Sequence, residues 1–343
     1  MMKKNNVYIL EDRGLLYVSG QDCKEFLQNI VTNNINNVDE KNSCYSALLT
    51  PQGKYLYDFN ILKHKSGYFL DCEKKNIDNL FKQLNLYKLR SKVEILNLSN
   101  EFVIAVLSKE RFLEMENSSS NRGCTIKYRE DSIFLDPRNI ELGARLVTNL
   151  EKLYLSLKKL GLQSENKNEY YKLSHEIGIP QNNTDKLQNK LFGIECNFEE
   201  LNAIDFKKGC YVGQENTARI KLKNKLNKRL LPVQVIDGII ESESISINNK
   251  EIGKILINNK NPFAIIKIND QFHSIFENRK KIAEDKIKQM KLQATKDIKN
   301  YSVEVAIIAL EKIIKNSVDK KKLDKIYISS VDEAKKILKN KSI

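Results

Sequence analysis

The residues best equipped for chemistry lie between Phe206 and Arg219, in the stretch FKKGCYVGQENTAR. Lys208 offers a positive group, Glu215 a carboxylate acceptor, and Gln214 both a donor and an acceptor, which suits the mixed edge of a heterocycle. Gly209 and Gly213 permit unusual backbone angles or close approach of the backbone to a ligand. The spacing lacks both the G-x-G-x-x-G pattern and a terminal G-K-[ST], so this is not a phosphate-cradling loop. Cys210 poses the sharpest question. Lys207 and Lys208, if turned toward it, would favour a reactive thiolate, whereas an inert cysteine buried in the loop satisfies the sequence as well. No histidine is near in sequence, and His175, 35 residues upstream, reaches the thiol only through the fold.

The elements that must position this loop read as α+β. GLLYVSG (Gly14 to Gly20) is a short apolar strand, and Asp22 with Glu25 makes a capping-box pattern ahead of a helix whose Phe26, Leu27, Ile30 and Val31 share a face. CYSALLT, a turn at PQGK, YLYDFNIL, a turn at HKSG and YFLDC together predict an antiparallel meander. A helix follows over Asn76 to Tyr87, with Ile77, Leu80, Phe81 and Leu84 at helical spacing. KVEIL and FVIAVL open a second α+β unit that includes SIFLDP and a helix near Leu150 to Leu160. Beyond the loop, LLPVQVI, SISIN, KEIGKILI and PFAIIKI read as short strands of a small β-barrel or sandwich ending near Ile268. From about Phe272 to Asn316 there is no Gly or Pro, which predicts one long helix, apolar around Val303 to Ile314, before a shorter helix at SVDEAKKILKN.

Composition narrows the chemistry. The chain has 343 residues, enough for two or three domains, and none of its stretches approaches the roughly 18 consecutive apolar residues of a membrane span. Its six cysteines include no C-x-x-C pair and its histidines number three, so no protein-only metal site is expected. The N-terminus passes almost directly into strand-like sequence without a signal or transit pattern, which predicts a cytoplasmic protein. The net charge is +14, and from Gln271 onward 18 Lys and Arg stand against 10 Asp and Glu, so much of the excess belongs to the tail. Stable nucleic-acid binding is therefore not expected of the body.

With these residues in place, KGCYVGQE, the preceding FEELNAIDF and the following Arg219 resemble the signature of the YgfZ family. These are folate-binding proteins related in fold to the glycine-cleavage aminomethyltransferases and involved in iron–sulfur enzyme maintenance and tRNA modification. DRGLLYVSGQDCKEFLQNIVTNNI, YSALLTPQGKYLYDF and LYKLRSKVEI match the family's opening segments in order and spacing, so the resemblance covers about residues 7–268. It implies an α+β, multi-domain fold of the aminomethyltransferase type, with antiparallel sheets. The parts would be a folate-binding first part over 1–100, a domain carrying the loop over 101–222, a small β-barrel over 223–270 and a helical tail over 271–343. It puts Lys208, Gly209, Cys210, Tyr211, Gly213, Gln214, Glu215 and Arg219 on the signature loop, with Cys210 the residue implied to matter for activity. A tetrahydrofolate or related reduced folate would meet Asp58, Tyr211, Gln214 and Glu215, and its glutamate tail would pair with Arg90.

The tail, in particular IAEDKIKQMKLQATKDIKNYSVEVAIIALEKIIKN, resembles the distal part of the b subunit of bacterial ATP synthase, without that subunit's membrane span. Its apolar residues Val305, Ile307, Ile308, Leu310, Ile313 and Ile314 predict that this helix packs against a partner. Three functions follow from the two resemblances. The first is a folate-binding accessory protein serving iron–sulfur client enzymes or assembly factors, tRNA-modifying ones included, through Cys210. The second is a folate-dependent one-carbon (aminomethyl) transferase. The third is an assembly protein acting through the C-terminal helix.

Overall fold

The computed structural model describes residues 2–222, 226–238, 240, 242–247, 250–268, 285, 288–309 and 329–331. Two compact units are present, Met1–Asn269 and Asp270–Ile343. In the first, β1 (Asn6–Leu10) and β2 (Arg13–Ser19) precede α1 (Cys23–Ile30), and β3 (Cys44–Leu49), β4 (Tyr55–His64) and β5 (Gly67–Glu73) precede α2 (Ile77–Lys88). Then come β6 (Glu94–Asn97), β7 (Phe102–Leu107), α3 (Lys109–Leu113), β8 (Thr125–Tyr128), β9 (Asp131–Leu135) and β10 (Ala144–Asn149). The series continues with α4 (Leu153–Leu160), β11 (Gln163–Glu165), α5 (Lys167–Glu176) and α6 (Gln214–Leu222). It ends with β12 (Lys228–Pro232), β13 (Ser244–Ile247), β14 (Lys250–Ile257) and β15 (Phe263–Lys267).

Three sheets result, of order β3-β4-β5-β2-β6, β11-β1-β7-β10-β9-β8 and β12-β15-β14-β13. All pairings are antiparallel except β1 with β11. The expected meander is β3-β4-β5. The small barrel is corrected: among the described residues the last sheet is an open four-stranded ladder, with β12 and β13 at its two edges. KVEIL, read as the start of the second unit, supplies β6 of the five-stranded sheet instead, while β1 crosses into the six-stranded one.

The apolar run GLLYV is continuous because β2 is buried on both faces. Leu16 and Val18 pack against Phe26, Leu27 and Ile30 of α1 and Ile77, Leu80 and Leu84 of α2. Leu15 faces the other way, into a core shared with Ile104 and Val106 of β7 and Phe134 of β9. The capping box at Asp22 does not form. No side chain caps α1, and the Asp22 carboxylate accepts instead from the backbone N–H of Lys92 at 2.7 Å. In the second unit residues 288–309 are helical, with Val305, Ile307 and Ile308 about half exposed. Leu310, Ile313, Ile314, the remainder of the long helix expected over Phe272 to Asn316 and most of SVDEAKKILKN lie outside the described residues.

Between the two larger sheets runs a buried lattice of charge. Arg13 donates from Nε to Asp71 Oδ1 at 2.7 Å, and Arg145 donates from Nη1 to Asp71 Oδ2 at 2.7 Å and from Nε to Asp136 Oδ2 at 3.0 Å. Arg138 grips the same Asp136 in a fork, at 2.9 and 2.7 Å. Arg145 also donates to the Tyr170 hydroxyl and to Gln181 Oε1, and Asn60 donates to Asp71. Burial alone would raise both carboxylates. Arg13 and Arg145 outweigh it at Asp71, and Arg138 and Arg145 outweigh it at Asp136, so both stay below the usual carboxylate range.

Asp71→Asn leaves two buried guanidiniums short of their carboxylate, and the expected loss is about 3–5 kcal/mol of unfolding free energy in denaturant titration. Below about pH 4 the unfolded carboxylates take up protons that the native ones refuse, so native stability falls as pH falls. The variant should lose part of that acid dependence, and an unchanged denaturation midpoint and slope would refute the lattice as a stabilising element.

Candidate functional site

The loop from Asp205 to Gly213 is held at two residues and free between them. Lys208 is buried, and its ammonium donates to three carbonyl oxygens, of Gln28 and Val31 at 2.6 Å and Asn33 at 2.9 Å. These are carbonyls at the C-terminal end of α1, where a cation meets the negative end of the helix dipole. Burial nonetheless pushes this amine down to about 8. Tyr211 is the second anchor, buried with Tyr45, Leu49, Tyr55 and Phe198 and with its ring 5.1 Å from the Lys208 ammonium. Burial pushes its phenol up to about 12. Gly209 and Cys210, between the anchors, are exposed. The segment just after α1 adds further ties: Thr32 donates to Ala203 O at 2.6 Å and Asn33 to Asn202 O at 2.6 Å.

The two glycines differ. Gly213 has φ +84°, and a Cβ there would stand 2.4 Å from Thr50 O and 3.0 Å from the Cα of Gly53. The PQGK turn and the VGQE segment therefore touch backbone to backbone, and Asn216 seals the contact by donating to Gln52 O at 2.9 Å. Around Gly209 a Cβ would meet no atom within 4 Å. Its freedom is not used for close approach.

Asp58 is already engaged. Tyr45 donates to its Oδ2 at 2.8 Å and Tyr55 to its Oδ1 at 2.5 Å, and only 9% of the residue is exposed. In a regular strand Tyr55 and Asp58 would point to opposite faces. The register shift that pairs Leu48 with Tyr57 and Leu49 with Tyr55 puts Leu56 in a bulge, and that brings Tyr55 and Asp58 to one face. Burial, and then the charge of Asp58, raise both phenols well above their ordinary range, so each stays a donor. The Tyr45 ring also lies 5.1 Å under the Arg138 guanidinium, which links Asp58 to the charge lattice.

The remaining expected site residues do not gather around Asp58. Arg90 is exposed beyond α2, on an open cleft of ≈ 870 Å³ that it shares with Tyr87, Leu89 and Phe26. Gln214 begins α6 and is half-buried, and Glu215 and Arg219 are exposed on that helix. The clefts around Lys190, His64, Arg90, His175 and Gln289 are lined neither by Asp58 nor by residues 206–219. Asp58 and the signature loop thus share none of these clefts with Arg90. His175 is not brought to Cys210: its Nε2 donates to Pro262 O at 2.9 Å and its ring stands edge-on to Phe263. Lys208, one of the two lysines expected to activate the thiol, points its ammonium at α1 instead. What the loop offers is one exposed thiol on a rigid mount.

A comparison with models of known protein families gives no match. Among curated proteins, the chain is 28% identical over 270 residues to the mitochondrial iron–sulfur cluster assembly factor IBA57 homolog of Dictyostelium discoideum, covering 71% of this chain and 65% of that protein. It is 30% identical over 240 residues to the mitochondrial homolog of Neurospora crassa, covering 65% and 52%. It is 30% identical over 249 residues to mitochondrial IBA57 of Homo sapiens, covering 67% and 66%. The chain thus spans between about half and two thirds of the length of these relatives. Among solved structures, the glycine cleavage system aminomethyltransferase T from Bartonella henselae superposes with a TM-score of 0.62 at 14% identity, over 76% of this chain and 78% of that one. The fold is of that type. The cytoplasmic location expected from the N-terminal sequence is overturned, because these relatives are named as mitochondrial.

Gly213→Ala forces a left-handed angle on an L side chain and a clash with Thr50 O, so a cost of about 2–3 kcal/mol is expected. Gly209→Ala should stay within about 0.5 kcal/mol of the parent. Melting temperatures of the two variants, measured side by side, check the difference, and equal values would show that the loop is not held at Gly213.

Proposed function

We propose that this chain is an accessory factor of the folate-binding type that supports iron–sulfur cluster assembly and works through the thiol of Cys210. One observation carries the reading: of the six cysteines, four are buried and Cys44 is half-buried, while Cys210 is exposed between two buried anchors. The names of the curated relatives point to the same process.

Among the described residues no three His, Cys, Asp or Glu side chains come together as a metal site. Clusters usually take four cysteine ligands, so one thiolate from this chain serves a cluster only alongside ligands from a client or an assembly factor. The cluster is then cargo, and the loop is a hand-over point. A fixed loop suits that role, because a partner must find the sulfur in one place. A reduced folate remains the ligand that this reading associates with the fold, on the strength of the fold alone.

Cys210→Ser is expected to leave the melting curve within about 0.5 kcal/mol of the parent, since the residue is exposed and touches no core. In cells that depend on this protein, the same variant should lower the activity of iron–sulfur enzymes to the level seen without it. Parental activity in a folded Cys210→Ser chain would sink the proposal. Turnover of tetrahydrofolate with a one-carbon donor by the purified chain would establish the transferase in its place.

A further inference from the structure

A second cleft, of ≈ 430 Å³, opens between two hairpin tips that belong to different sheets. One tip joins β4 to β5 and brings Lys63, His64 and Lys65, and the other joins β8 to β9 and brings Lys127 and Arg129. The rim is cationic beyond what its carboxylates neutralise. Lys127 pairs with Glu40 at 3.1 Å and Lys152 with Glu130 at 3.2 Å. Asp131 is engaged by the hydroxyls of Thr148 and Ser156, at 2.9 and 3.2 Å. The Lys63 ammonium lies 4.5 Å over the Tyr68 ring. Lys65 and Arg129 are left exposed, with no carboxylate partner among the described residues, and the Arg129 guanidinium lies 5.9 Å over the ring of its neighbour Tyr128.

The backbone at these two residues is unusual in the same way. Each is the first residue of a two-residue connection, between the His64–Gly67 pair in one hairpin and the Tyr128–Asp131 pair in the other. Each has positive φ, +49° at Lys65 and +61° at Arg129. Such positions favour Gly, Asn or Asp, because a longer L side chain is disfavoured there. Two hairpins from two sheets instead place a long cation at that position, and both cations face one cleft. Backbone strain of this kind concentrates at ligand sites.

The cleft also has an aromatic wall. The His64 ring stacks on Phe69 with centroids 4.1 Å apart and an interplanar angle of 20°, and Phe102, which also lines the cleft, stands edge-on to it at 6.3 Å. Burial, and then the charges of Lys65 and Lys127, push this imidazole down to about 4, so at neutral pH it adds a neutral face and no further charge.

The geometry points to a binding site for a small phosphate-bearing anion, with Lys65 and Arg129 gripping the phosphate oxygens and the His64–Phe102 wall placed for whatever the phosphate carries. The volume lies in the range of small-molecule pockets, roughly 300–1,000 Å³, and so fits a free diphosphate or a mononucleotide rather than a nucleic-acid strand. Guanidinium and ammonium groups at the rim supply charge-assisted hydrogen bonds to such oxygens.

The test is calorimetric titration of the full chain with pyrophosphate and, separately, with ADP at about 0.15 M salt, where exposed charges are screened beyond about 8 Å. Lys65→Asn combined with Arg129→Asn removes both charges while keeping residues that tolerate positive φ, so the melting temperature should hold. The expected result is binding of both probes to the parent, weakened at least about tenfold in the double variant. ADP binding tighter than pyrophosphate identifies the wall as a base platform, and equal binding identifies the phosphate alone as the ligand. Absence of binding by either probe at millimolar concentration, or binding that the double variant leaves unchanged, overturns the site.

Discussion

The structure of the larger unit depends on how three buried guanidiniums are neutralised. Arg13, Arg138 and Arg145 meet two carboxylates directly, Asp71 and Asp136, and each carboxylate serves at least two donors. Two for three leaves a surplus positive charge in a buried place. Part of it is absorbed by dipoles, through the Tyr170 hydroxyl and Gln181. Another part is absorbed by the Tyr45 ring under Arg138, and the hydroxyl of that same tyrosine donates to Asp58. Asp58 is thus the third carboxylate of the set, reached through a phenol.

The lattice also determines which groups remain free for chemistry. It locks β2, β5 and β10 together, so the five-stranded sheet and α1 upon it form a fixed base. The base is extended by Lys208, whose ammonium ties residues far along the chain to the end of α1, and by the contact of Gly213 with the Thr50 to Gly53 turn. A buried amine with three carbonyl acceptors is costly to withdraw, which fixes the residue two positions before Cys210. Tyr211 fixes the residue after it. A loop pinned on both sides cannot fold the thiol inward, so the exposure of Cys210 is enforced by its neighbours.

Much of this was legible in the sequence, and the failures have specific causes. Strands β2 to β5 and helices α1 and α2 follow from apolar periodicity, and the loop at 206–219 stood out because its residue types serve no core. A period of two puts Asp58 and Tyr55 on opposite faces, and one bulged residue, Leu56, reverses that. Nothing local marks the bulge. For Arg90 a folate tail and a solvated surface suit an arginine alike, and the fold leaves it exposed on an open cleft. Lys208 was read as a cation for ligand or thiol, whereas its partners are backbone carbonyls roughly 180 residues away, whose direction no sequence pattern reveals. The barrel was expected from strand count, and closure depends on edge pairing, which composition does not encode.

The contrast between Asp58 and Cys210 separates the two functional classes. The transferase reading rests on Asp58, which is held in a buried clasp of two phenols, one on each oxygen, whose protons are held firmly. A hand-over factor needs a soft ligand that is accessible, fixed and incomplete, so that cargo can leave. Cys210 meets each condition: it is exposed, its flanks are anchored, and its chain brings no further ligands beside it among the described residues. Incompleteness is the useful property here, since a site with all four ligands would retain the cluster as a cofactor. On the proposed reading, an aminomethyltransferase-type fold whose loop displays a single exposed thiol serves transfer between proteins.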